Sequence, residues 1–179
     1  MVGSVPSPFA AALEAQGPAA DRGANMELYG WLIGSWDLEV SEYPEGAPPR
    51  HRPGEWHFGW VLEGRAIQDV WIVPRRGALR TGDAAANANR YGTTLRTYDP
   101  RIDAWHIQWT DPVSQTYLAM IGRRHGADIV QLGEAAGGIT VRWGFYEITP
   151  QSYLWRGELS SDGGQSWRCN VEFRARRTK

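Results

Sequence analysis

The stretch GEWHFGWVLEGRAIQDVWIV, Gly54–Val73, decides the fold. Gly64-Arg65 separates two runs rich in aromatic and β-branched residues. A glycine first in a two-residue loop suits a type II′ turn, whose twist matches that of the flanking strands. Such a turn pairs Glu63 with Ala66, Leu62 with Ile67, Trp60 with Asp69, Phe58 with Trp71 and Trp56 with Val73. Side chains alternate along a strand, so one face carries Trp56, Phe58, Trp60, Leu62, Ile67, Asp69, Trp71 and Val73. The other carries Glu55, His57, Gly59, Val61, Glu63, Ala66, Gln68, Val70 and Ile72. The first face is almost entirely large and apolar and is expected inside. Its exception is Asp69. A carboxylate among indoles has to find a donor, raise its pKa or meet a ligand. The sequence leaves open whether Asp69 is a structural acceptor for an indole N–H or loop amide, or a ligand contact.

The flanking sequence continues in the same way. Trp36, Leu38 and Val40 alternate with Asp37, Glu39 and Ser41, the pattern of a half-buried strand. Tyr91–Tyr98 and Ala104–Thr110 read as a second hairpin around Asp99-Pro100. Pairing Tyr98 with Ala104 puts Thr93, Leu95, Thr97, Trp105, Ile107 and Trp109 on the inner face, with Arg96, Tyr98, His106 and Gln108 outside. Strands follow at 115–122 and 128–134, both ambiguous in facing, and at 139–148, 152–160 and 166–175. In the last of these Trp167, Cys169, Val171 and Phe173 face inward. Ser160–Trp167, SSDGGQSW, has the S-x-D-x-G-x-S/T-W pattern of an Asp-box hairpin, a turn device found in many β folds. Residues 74–90 form a long polar connection, either a surface loop or a lid.

About ten short strands at roughly ten-residue spacing, with no long helix, define an all-β chain: an antiparallel sandwich or closed barrel. The G-x-W strand start, Gly34-Ser35-Trp36, follows a short helix predicted over Met26–Ile33, capped by Asn25 and ended by Gly34. That order favours an up-and-down calycin-like barrel with the helix closing one end. Residues 1–24, rich in Ala, Pro and Gly apart from a short helix after Pro8, are expected to be a flexible arm. Residues 25–179 are expected to form the single barrel domain.

The chain has 179 residues and ten tryptophans, at a net charge of −1. No general basic surface argues for nucleic acid, and no apolar run is long enough for a membrane helix. A lone cysteine, Cys169, excludes an intramolecular disulfide and a cysteine-based zinc site. The first residues lack the basic start and apolar core of a signal peptide, so the expected location is cytoplasmic.

Leu32–Val40 (LIGSWDLEV), the Gly64-Arg65 hairpin, Tyr91–Trp105 (YGTTLRTYDPRIDAW) and Ser160–Trp167 together resemble a bacterial lipocalin-like family of unknown function, over roughly Tyr29 to Arg176. The resemblance implies a calycin-type barrel. It implies no catalytic residues.

The function expected from these residues is binding of a small hydrophobic or aromatic molecule in a tryptophan-lined cavity. The predicted ligand contacts are Trp60, Asp69, Trp71, Trp105, Trp109, Tyr117, Trp143 and Trp155. Tyr153 is a further hydroxyl donor, and Trp36, Trp56, Phe58 and Trp167 complete the interior. Aromatic walls suit flat or apolar ligands. The plainer reading is that the rings simply fill the barrel. An enzyme is the rival, using Glu55, His57, Arg96, His106, Gln108, Arg142, Arg156 and Glu158 if the polar face were inside. Haem binding is a weaker third reading, since His51, His57, His106 and His125 show no close ligand spacing. No cofactor or metal is expected. Val61, Val70 and Ile72 on the outer face point to a homodimer.

Overall fold

The computed structural model describes residues 7–78 and 89–178. A short helix, Pro8–Leu13, is capped by the Ser7 hydroxyl, which accepts from Ala10 N. A two-residue strand β1, Glu14–Ala15, follows, and then a 3₁₀ segment, Ala20–Met26, leads into α2, Glu27–Gly30; the Pro8–Leu13 helix is α1. Ten further strands complete the chain. They are β2 Gly34–Glu42, β3 Arg50–Val61, β4 Ala66–Val73, β5 Arg90–Asp99, β6 Ala104–Asp111, β7 Thr116–His125, β8 Asp128–Ala135, β9 Ile139–Tyr146, β10 Ser152–Ser160 and β11 Arg168–Arg177.

Each of β2 to β11 pairs antiparallel with its neighbour in sequence, and β11 returns to pair with β2. The sheet therefore closes as an up-and-down barrel with no free barrel edge. β3 overhangs the start of β2, because Gly34 is opposite Phe58. The uncovered Trp60 and Val61 pair instead with β1. Residues 7–24, the described part of the stretch expected to be a flexible arm, are thus tied to the barrel wall, also through Leu62 N to Leu13 O and Ala19 N to Gly64 O. This arm helps to cover Val61, which is 4% exposed, while Ile72 is 1% exposed within the single chain. The apolar patch that suggested a homodimer is largely covered without a partner.

The helix predicted over 26–33 is shorter than expected. Met26 supplies the N-cap position without a side-chain bond, and Gly34 opens β2 rather than capping the helix. It still plugs one end. Met26, Tyr29 and Leu32 are buried. Arg177 donates to the carbonyls of Trp31 and Ile33 just after α2 and lies over the Trp36 ring at 4.1 Å.

Two registers differ from expectation, with opposite consequences. In the first hairpin Val61 pairs with Ala66 and Phe58 with Asp69. The turn is the four residues Leu62–Arg65, with positive φ at Leu62, Glu63 and Gly64. This is a slip of two residues against a two-residue turn, so every side chain in the strands keeps its face. In the second hairpin Asp99, not Tyr98, is opposite Ala104. The Asp99 carboxylate accepts from Arg101 N, which keeps its backbone in the ladder and leaves Pro100–Asp103 as the loop. That is a slip of one residue, and it reverses all of β5. Arg96 and Thr94 point inward, whereas Thr93, Leu95 and Thr97 point outward.

A third correction lies in β11. Gly157 is opposite Val171 but Glu158 is opposite Cys169, so Asn170 is a bulge residue. The bulge turns Cys169 to the outer wall. Trp167, expected inside, also lies outside, over the Arg142 guanidinium at 4.0 Å. Its hairpin has the expected Asp-box chemistry: Asp162 accepts from the amides of Gln165 and Ser166 and from the Ser166 hydroxyl.

Candidate functional site

Inward-facing side chains divide the barrel into two halves. The half next to α2 is filled. Tyr29 stands edge-on to Trp105 with centroids 5.0 Å apart, and its hydroxyl accepts from Gln131 Nε2. Burial raises the Tyr29 pKa to about 12, with Arg96 pulling the other way. The Trp36 N–H donates to Leu32 O at 2.7 Å, so this ring is both packed and satisfied.

Asp69 belongs to this filled half. One carboxylate oxygen accepts from Thr94 N at 3.1 Å and the other from Arg96 Nη1. Both side chains are 0% exposed. The Arg96 guanidinium carbon lies 5.4–5.8 Å from the ring centres of Tyr29, Trp56 and Phe58. The buried carboxylate is therefore held inside the fold, by the backbone amide of Thr94 and by an arginine that the expected register had put on the wrong face. A buried pair of this kind persists only with good geometry, because each ion alone would pay heavily for lost hydration.

Above Asp69 the tryptophans from β4, β6, β9 and β10 meet across the lumen. Centroid separations run Trp71–Trp109 5.3 Å, Trp109–Trp143 5.8 Å, Trp143–Trp155 5.3 Å and Trp155–Trp71 5.7 Å. Four rings in a closed circuit this tight form a floor. Trp155 is held from below by stacking on Phe173 at 4.6 Å and 9°. Gly92 makes the floor possible, since a Cβ there would come within 2.4 Å of the Trp109 ring.

Beyond the floor lies a cavity of about 510 Å³. Its apolar wall includes Leu118, Val141, Leu159 and Val171, and its rim carries Glu42, Arg50, Arg90, Thr116, Arg168 and Asn170. Glu42 pairs with Arg52, Arg90 lies 4.0 Å from Asp111, and Arg168 reaches Tyr43 O and Glu45.

Of the expected ligand contacts, Trp71, Trp109, Trp143 and Trp155 line this cavity. Trp60 and Trp105 do not. Trp60 packs on Gly30 of the plug and Trp105 on Tyr29. Asp69 is under the floor with both oxygens engaged, and Tyr153 is buried in the filled half. Tyr117 corrects an expectation: it is outside and 60% exposed, because the inward positions of β7 are Thr116, Leu118 and Met120. The rim cations were missed. The signal was present, since the inward parity of Trp56 continues back through Gly54 and Arg52 to Arg50. It was hidden by the change from apolar to charged residues.

The acid–base candidates, Arg96 apart, lie on the outer wall. His57 bonds to the Ser35 hydroxyl and Glu55, and His106 to Asp99. Arg142 pairs with Glu158 and Arg156 with Glu172. Three bonds from Arg76, with a lesser one from His57, hold the Glu55 carboxyl down to about 2 despite burial. No cluster of His, Cys, Asp or Glu suited to a metal occurs among the described residues. No helix among them is long and apolar enough to cross a membrane. The 79–88 part of the connection read as surface loop or lid lies outside the described residues.

No protein-family model matches the chain, and no curated protein matches it in sequence. Among solved structures it is similar to an S-type phycobiliprotein lyase from Guillardia theta. The TM-score is 0.54 at 10% identity, over 86% of this chain and 92% of that one. At that identity the likeness is one of fold. The closed ten-stranded barrel, with its aromatic-rich interior, fits a calycin-type architecture.

Proposed function

We propose that the protein binds a small hydrophobic or aromatic molecule in the cavity above the tryptophan floor. The observation that carries this reading is that the interior of one barrel half is filled by buried side chains, while the other holds a cavity of about 510 Å³ over four indoles. That volume is within the usual range for small-molecule sites, roughly 300–1,000 Å³. The contacts proposed are Trp71, Trp109, Trp143 and Trp155. The presence of a phycobiliprotein lyase among the chain's structural neighbours supports ligand binding in general.

The same neighbour, a lyase, supports an enzyme as the second reading. Its acid–base groups would have to come from the rim, Glu42 and the arginines, because the histidines are bonded on the outer wall.

The test is a fluorescence titration with N-phenyl-1-naphthylamine, an uncharged aromatic probe. Saturable binding with quenching of tryptophan emission is expected. Ala135, at the end of β8, also lines the cavity; Ala135→Trp, which puts an indole there, should abolish binding while the protein stays folded by circular dichroism. Binding that survives Ala135→Trp unchanged would remove the cavity from the account.

A further inference from the structure

The interior has more hydrogen-bond donors than acceptors. Trp71 and Trp155 both line the cavity and are 6% and 1% exposed, yet neither indole N–H has an acceptor among the described residues. The Trp56 N–H, just beneath them, is also unpaired, as are Nε and Nη2 of Arg96. Against these stand two unpaired acceptors, Asn170 Oδ1 and Gln131 Oε1, and two unpaired hydroxyls, those of Thr94 and Tyr153, which can donate or accept; of these four groups only Asn170 is at the cavity. A buried donor without a partner costs about 1–3 kcal/mol, so a site built with surplus donors favours an occupant that brings acceptors.

The rim has the matching charge. Its acids are already engaged, Glu42 by Arg52 and Glu45 by Arg168. Arg50, whose side chain contributes to the cavity lining, has no ion-pair or hydrogen-bond partner among the described residues. A guanidinium offers a planar donor fork suited to an oxyanion.

We infer that the occupant is an organic anion, with a flat aromatic body on the tryptophan floor and a carboxylate- or sulfonate-type group at Arg50. Acceptor oxygens on the body meet the N–H groups of Trp71 and Trp155. This rests on the cavity-binding reading above and adds to it the charge and polarity of the ligand.

Two probes that share an anilinonaphthalene body separate the claims. One is 8-anilinonaphthalene-1-sulfonate, the other the uncharged N-phenyl-1-naphthylamine. The sulfonate should bind about tenfold more tightly, and the margin should shrink as salt is raised. Arg50→Gln should weaken the sulfonate about threefold to fivefold and leave the uncharged probe unchanged. Arg50 is exposed, so the variant should fold. Equal affinities for the two probes, both lost in Ala135→Trp, would overturn the anion inference and leave the cavity reading standing. A sulfonate preference untouched by Arg50→Gln would also overturn it. Probes that bind equally well to Ala135→Trp would overturn the cavity reading itself.

Discussion

The two halves of the barrel are built from the same kinds of residue, but they are finished differently. In the half under α2 the rings have something behind them. Trp36 meets the Leu32 carbonyl and Arg177, Trp105 meets Tyr29, and the single carboxylate meets an arginine. In the other half no helix among the described residues follows the rings, so Trp71, Trp109, Trp143 and Trp155 become a floor and the strand ends become a rim. An inward tryptophan is thus a packing residue or a ligand surface according to what the chain places over it. The two uses should separate under mutation: the filled half should govern stability and the open half affinity.

The sharpest way to break that division is at the buried pair. Arg96→Met leaves Asp69 charged and unpaired in the core, which should cost about 3–5 kcal/mol in a urea titration. Asp69→Leu combined with Arg96→Met removes both charges and should recover most of the loss, with naphthylamine binding retained. Loss of binding in a stable double variant would mean that the pair serves the cavity after all. Next come the tryptophans. Trp36→Ala should cost about 3–5 kcal/mol, as for other buried rings. Trp143→Ala should cost less, about 1–2 kcal/mol, because its ring already lacks neighbours on the cavity side, but should weaken the probe about tenfold. Equal stability losses at the two sites would erase the distinction. The strand glycines sharpen it further. A Cβ at Gly122 would lie 2.3 Å from the Tyr29 hydroxyl, and one at Gly92 would lie 2.4 Å from the Trp109 ring. Each Gly→Ala change should cost about 1–3 kcal/mol through overpacking. Only Gly92→Ala should also reduce probe affinity, by forcing Trp109 toward the cavity.

The barrel was legible because alternation is a local property. Strands of eight to twelve residues with large apolar side chains at alternate positions have only one way to bury them. The site was less legible because facing depends on turns, and turns act at the level of single residues. The Gly64 hairpin tolerated a slip of two, so Trp71 was correctly aimed. The Asp99 hairpin was read one residue out of register, which separated Arg96 from Asp69 and left that carboxylate looking like a ligand anchor. Tyr117 had no apolar pattern around it to fix its direction. At Asn170 a bulge, invisible to a strict period of two, moved Cys169 outward and brought Arg168 to the rim. The floor tryptophans were therefore within reach of alternation; Arg50 shares their parity but its charge concealed it, and Arg168 was out of reach because of the bulge.

The smallest expected effect belongs to the outer wall of the open half. There the Glu55 carboxylate holds Arg76 through its amide N, Nε and Nη2, and so folds the chain after β4 back onto β3. The folded carboxyl titrates at about 2 against an ordinary 4.5. A depressed carboxyl pKa contributes stability that is complete above the unfolded value and is lost as pH falls through the folded one. The native chain should therefore lose this increment between pH 4.5 and about 2. Asp99 and Asp162, held low by Arg101 and by Ser166, contribute in the same acid range. Glu55→Gln should be less stable than the native chain at neutral pH, and the gap should narrow as the solution is acidified. Because the clamp faces away from the lumen, probe affinity at neutral pH should not change. A gap that stays constant with pH would show that the shape of Glu55, and not its charge, holds the chain after β4. A fall in affinity would tie this outer clamp to the cavity that it borders.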